Sequence, residues 1–189
     1  MNQSPAEPAA FAFSPPELDR RTAILLRDAA LSQLDFARRY TLRLLDATPP
    51  ELWYQMSAAV PTHIAWQVGH LAVSQYGLLM FRQRGRAPGD LDLVAGTFRK
   101  RFGRGSQPTT LDSSGESPAD LLSRLQTIHR QAYTELAAAD PASLLEPIDM
   151  PYAVYPCKLG AILFAPLHEQ IHSGQIGLIR RSLGLVSIH

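Results

Sequence analysis

A single cysteine, Cys157, occurs in the 189 residues of the chain. One thiol excludes an internal disulfide framework and fits a reducing cytoplasm. With no base beside it in the sequence, it reads as a small buried residue and not a nucleophile. Charge of one sign is also lacking: 18 Lys and Arg stand against 17 Asp and Glu, a net +1. That balance by itself points to no nucleic-acid partner and no acidic membrane surface. No apolar run reaches the length of a membrane span; Ala161–Leu167 is short and is interrupted by Pro166. The opening MNQSPAEPAAFAFSPPE has neither the basic start nor the long apolar core of a secretion signal. It reads as a Pro/Ala-rich arm, mobile over 1–14. A single domain over 15–189 follows, long enough for a sizeable core. There is no internal repeat and no convincing strand pattern.

What is present is helical periodicity. From Glu17 to Asp46, residues Ala23, Leu26, Ala30, Leu34, Ala37, Thr41 and Leu45 step by three and four, while Arg20, Arg21, Arg27, Arg39 and Arg43 supply the wet side. Ser14, Pro15 and Pro16 form a plausible start. A second helix follows Pro61, with Thr62 as candidate N-cap. Its inner stripe is His63, Trp66, Gln67, His70, Val73, Ser74, Gly77 and Phe81, unusually polar for a plain core. Residues 86–114 resist regular assignment and read as a solvated connection, with a lid or anion-binding loop around Arg99-Lys100-Arg101 and Arg104 as the other reading. Ser117-Pro118-Ala119-Asp120 is a strong helix start, and Leu121, Leu125, Ile128, Ala132 and Leu136 face inward from the helix it opens. His129 lies at the edge of that stripe and reads as a boundary histidine. After a connection in which Tyr152 and Tyr155 are available to a pocket mouth, the last helix runs from Leu159 to Leu183. Gly184 caps it, Arg180 and Arg181 sit at its negative end, and Pro166 is expected to kink it. Four long helices predict an all-α bundle.

The chemistry is concentrated in His168-Glu169-Gln170-Ile171-His172. Two histidines four apart share a helix face, about 6 Å apart along the axis. The face continues through Ala161, Phe164, Ala165, Ile171, Gln175 and Ile179, so His168, His172 and Gln175 are expected to point at the core. Buried imidazoles need partners, and two at this spacing commonly share a metal ion. The string also matches the zincin signature H-E-x-x-H. That mechanism needs a third ligand further along, yet no Asp or Glu follows His172 and the only later His is His189. The longer metzincin form wants Gly and His where this chain has Gln175 and Leu178. The third ligand must come from upstream, and His70, mid-helix on the polar stripe, is the best candidate. Three imidazoles with an open position make a catalytic type of site. The plainer alternative is three separately satisfied core histidines.

Thr62-His63-Ile64-Ala65-Trp66 leading to Gly69-His70-Leu71-Ala72 resembles the second helix of DinB/YfiT-like proteins. The segment His168–Ile176, with Arg180-Arg181 and Leu183-Gly184, resembles their fourth, and the likeness extends from Glu17 to Gly184. It implies a four-helix bundle of the DinB/YfiT-like type, a divalent metal (zinc or nickel) held by His70, His168 and His172, and a homodimer. It also implies chemistry with a low-molecular-weight thiol as co-substrate, either S-transfer or isomerisation of a small molecule. Thr62 in place of a common Asn, Pro166 inside the last helix and the expanded basic connection 86–114 depart from the pattern.

Two classes of function follow. In a metalloenzyme, His63, Gln67, Glu169 and Gln175 are the candidate catalytic residues: His63 and Gln67 to orient water or substrate, Glu169 one step off the ligand face as a supporting group. Otherwise the chain is a stress-associated metal-binding bundle without catalysis, or a metal-dependent hydrolase. An open position on the metal favours catalysis; a fourth protein ligand such as His129 favours the structural role.

Overall fold

The structure is a computed structural model and describes residues 17–150, 153 and 155–188. The arm 1–14, the expected helix start at Ser14–Pro16, Tyr152 and His189 lie outside the described residues. Helix α1 (Arg20–Asp46) starts instead at Asp19, whose carboxylate accepts the Thr22 amide at 2.7 Å. Its buried face holds Ala23, Ala30, Leu34, Ala37, Thr41 and Leu45 as the stepping requires and adds Arg38 and Leu44, while Leu26 is only partly buried.

Helix α2 (Ile64–Tyr76) is capped by His63 and not Thr62: the imidazole Nδ1 accepts the Trp66 amide at 3.0 Å. It runs into a π-turn (Gly77–Phe81) and a closing turn, Arg82–Arg84. The π-turn inserts a residue and rotates the face. Leu78, Leu79 and Met80 are therefore buried, while Phe81, expected inside, is 46% exposed.

The connection 86–114 is not merely solvated. It forms α3 (Asp90–Leu93), α4 (Gly96–Phe102) and α5 (Leu111–Ser114). Phe98 and Phe102 are fully buried, and α4 packs on α2 at Gly69, where an added Cβ would collide with the Phe102 ring. Asp90 anchors its start: the carboxylate accepts from Arg84, the Tyr76 hydroxyl and the Ala87 amide. The Arg84 hydrogen bonds hold its pKa down at about 2.

Helix α6 (Pro118–Ala138) opens with the capping box of Ser117 and Asp120, and its five predicted inward residues are all buried. Helix α7 (Lys158–Ser182) passes through Pro166 as one element, and Gly184 just beyond it has φ 83°. Arg180 was expected to serve its own helix end. It is buried and donates to the carbonyls of Leu44 in α1 and of Ala47, the residue that caps α1, at 2.9 and 2.6 Å. Helix α1 packs on α7, and α2 packs on both α6 and α7. The result is an all-α bundle of four long helices, and no strand occurs among the described residues.

The buried face of α7 is rotated from the expected one. Ile162, Ala165, Glu169, His172, Ser173, Ile176, Ile179 and Arg180 are buried, whereas Ile171 is 54% exposed and Gln175 is exposed. Glu169 takes a core position because a cation meets it there. Arg38 of α1 donates through Nε and Nη2 to its two oxygens at 2.8 and 3.0 Å, and the Thr41 hydroxyl adds a third bond at 2.8 Å. Arg38 Nη2 also donates to Gln75 of α2, whose amide bonds His129 of α6 at 2.8 Å. One buried polar chain thus ties all four long helices together.

Candidate metal centre

Rotation of α7 sets His168 and His172 at the edge of the core, facing α2. Ring nitrogens of His70, His168 and His172, one from each, lie within 4.8 Å of one another. The sequence-derived triad is therefore a spatial cluster, although nearly a hundred residues separate its first member from the others. His168 is half-buried; His70 and His172 are buried.

Each buried imidazole is oriented from behind. His70 Nδ1 donates to the Phe102 carbonyl at 2.8 Å, and its ring stacks on Trp66 with centroids 4.8 Å apart and planes 9° apart. His172 Nδ1 donates to Gln67 Oε1 at 2.5 Å, while the Gln67 amide nitrogen donates to Thr62 at 3.1 Å. With Nδ1 protonated in both rings, Nε2 carries the lone pair that a metal takes. His172 Nε2 lies 3.2 Å from His168 Nε2. Two such nitrogens need a proton or a cation between them. A tetrahedral ion about 2.05 Å from each nitrogen would separate them by about 3.3 Å, so the observed spacing fits a shared ion. The all-nitrogen donor set suits zinc, nickel, copper and iron alike.

Burial pushes the His172 pKa down to about 3, with the neighbouring histidines adding to it, and the His168 pKa down to about 4. His70 is lowered by burial as well. All three are therefore neutral, the metal-binding form, at physiological pH. Burial, aided by Arg38, lowers His129 to about 4. Between the ordinary histidine value of 6.5 and these lowered values, the unfolded chain binds protons that the native chain refuses. The stability conferred by the neutral rings is complete above about 6.5 and is lost as pH falls toward 4. The urea midpoint of the metal-free protein should decline steadily from pH 7 to pH 4, and a flat midpoint would contradict the buried neutral rings.

The other candidates divide. His63 has both nitrogens engaged, Nδ1 by the Trp66 amide and Nε2 by the Thr109 carbonyl at 2.9 Å, so it is a helix cap and has no ring nitrogen to spare for a proton or an ion. Glu169 points into the Arg38 pair. Burial pushes its pKa up, but the charge and hydrogen bonds of Arg38 and Thr41 outweigh this and hold it below the usual value. Gln67 orients His172. Gln175 lines, with His172, a cleft of about 260 Å³. Tyr155 is half-buried against the core and does not line that cleft.

Sequence reasoning missed the supports supplied by the connection. Phe102, Ser106 and Thr109 meet His70, Trp66 and His63 in turn along α2, Ser106 through a 3.0 Å bond from the Trp66 indole. Two of the three contacts use backbone carbonyls, which leave no mark on residue identity. Arg38 did leave one: it lies four after Leu34 and three before Thr41, on the buried stripe.

A comparison with curated proteins finds no match. The family model of the DinB superfamily matches residues 33–176, a span that includes all three histidines. The chain belongs to the DinB superfamily.

Proposed function

We propose that the chain is a metal-dependent enzyme in which His70, His168 and His172 hold one divalent ion, zinc or nickel, within reach of a small molecule in the adjoining cleft. The observation that carries this is the composition of the cluster: three imidazoles and, among the described residues, no fourth His, Cys, Asp or Glu beside them. His129, the expected fourth ligand of a closed structural site, is bonded to Gln75 in the polar core instead. Three protein ligands leave a position for water or substrate. Bound there, a divalent ion supplies Lewis-acid chemistry and favours the ionised form of a thiol or water. The chain's own part is to hold the ligand tautomers through Gln67 and Phe102, to stack Trp66 on His70, and to present Gln175 to whatever enters the cleft.

Family resemblance favours a low-molecular-weight thiol as co-substrate, its sulfur forming a bond to carbon as the leaving group departs. The test is turnover of thiol with electrophilic small molecules by protein loaded with zinc or nickel. Turnover that tracks metal content supports the reading, and equal turnover by metal-free protein contradicts it. One bound metal with no thiol-dependent or hydrolytic turnover would favour the non-catalytic alternative.

The same reading includes a homodimer in a cytoplasmic setting. Supporting a second copy, α7 leaves Leu167, Ile171 and Leu178 about half exposed on one face, with the exposed Gly174 between them. Among the described residues no helix is long and apolar enough to cross a membrane, so this stripe has no spanning role. Sedimentation should give a dimer at micromolar concentration and a monomer for Ile171→Arg; a monomeric parent protein would contradict the assignment.

A further inference from the structure

The cleft beside His172 is bounded by Pro61, Thr62, Gln67 and the half-buried Trp66 on one side and by Ser106, Gln107 and Pro108 on the other, with Gln175 at its mouth. No Asp, Glu, Lys or Arg lines it. The basic residues of the connection do not reach in: Arg101 donates to the Ser114 carbonyl, and Arg104 is exposed outside the lining. Arg38 and Glu169 neutralise each other on the core side of α7. The walls thus offer an indole and two proline rings, with carboxamides and hydroxyls between them.

From this lining we infer that the cleft selects a molecule that is uncharged outside the group it places at the metal, carrying an apolar ring or short chain against Trp66 and a neutral hydrogen-bonding group toward Gln107. This rests on the proposed metal site and names the substrate class for it. An ionised group entering the cleft gives up water and meets no opposite charge, which costs free energy that a neutral carbonyl or hydroxyl avoids by pairing with an amide. The volume of about 260 Å³ falls just below the usual range for drug-sized ligands, so the part of the occupant that the walls touch is about one ring in size. Specificity then arises partly by exclusion: the site rejects anions and cations by leaving them unpaired.

The test uses three hydroxamates with one metal-binding head: benzohydroxamate, its 4-carboxy analogue and its 4-trimethylammonium analogue. Binding to zinc-loaded full-length protein is read by calorimetry, with zinc retention checked afterwards. The neutral compound should bind at least about tenfold more tightly than either charged one, equivalent to about 1.4 kcal/mol. Trp66→Phe should keep that order, and Gln107→Lys should restore the carboxylate analogue selectively. Equal affinities for all three, or a preference for a charged analogue, would overturn the inference and leave the metal site standing. Failure of all three to bind zinc-loaded protein would overturn the open coordination position, and the inference with it.

Discussion

Arg38→Met is expected to lower stability by about 3–5 kcal/mol, because it strands a buried carboxylate. Arg38 and Glu169 are 3% and 2% exposed, and the guanidinium also serves Gln75. Removing it leaves Glu169 with only the Thr41 hydroxyl and Gln75 without its donor, in the polar chain that joins all four long helices. Against a typical domain stability of about 5–15 kcal/mol, that is enough to unfold a substantial fraction of the chain. Arg39→Ala, which breaks an exposed pair with Asp35, should cost about 1 kcal/mol or less. The double variant Arg38→Met, Glu169→Leu should recover much of the loss, since an apolar pair can replace a buried ion pair. Urea denaturation distinguishes these outcomes; a single-variant cost below about 1 kcal/mol would mean that the pair is hydrated in solution.

His70→Ala should weaken metal binding at least about a hundredfold, above the 10–100-fold typical of lost supporting contacts. The loss should match that of His168→Ala or His172→Ala despite the distance in sequence. Helix α7 alone offers a two-imidazole chelate; His70 closes it from α2 and gives three points of attachment. His63→Ala and His129→Ala should keep the metal, because their nitrogens are committed to the α2 cap and to Gln75. Gln67→Leu falls between, since it frees the His172 ring without removing it. Metal titration with a competing chelator ranks these variants. Loss of metal from His129→Ala with full occupancy in His70→Ala would place the site on α6 instead.

The apolar stepping of α1 and α6, together with the Ser117 capping box, made two of the long helices legible in the sequence almost to their ends. The histidine cluster was legible because its polar side chains interrupted otherwise apolar faces. The orientation of α7 was not. A local pattern sets Glu169 one step off the inward face and Ile171 on it, whereas the structure buries Glu169 and leaves Ile171 about half exposed. The cause is Arg38, 131 residues earlier, which neutralises Glu169 and lets that face turn inward. Phe81 was misplaced for a different reason, the π-turn that advances the face by one residue. The connection 86–114 looked solvated because its basic residues outnumber its aromatics. Two buried phenylalanines nonetheless suffice to seat α4 on Gly69, and the carbonyls it delivers have no residue signature.

The most direct measurement is elemental analysis of untagged protein, purified without metal affinity and correlated with its helical content. About one divalent ion per chain is expected, released by acid or chelator and restored on return to neutral pH. Metal-free protein with the same fold, taking up no zinc or nickel when supplied, would show that His70, His168 and His172 are core histidines and would contradict the account.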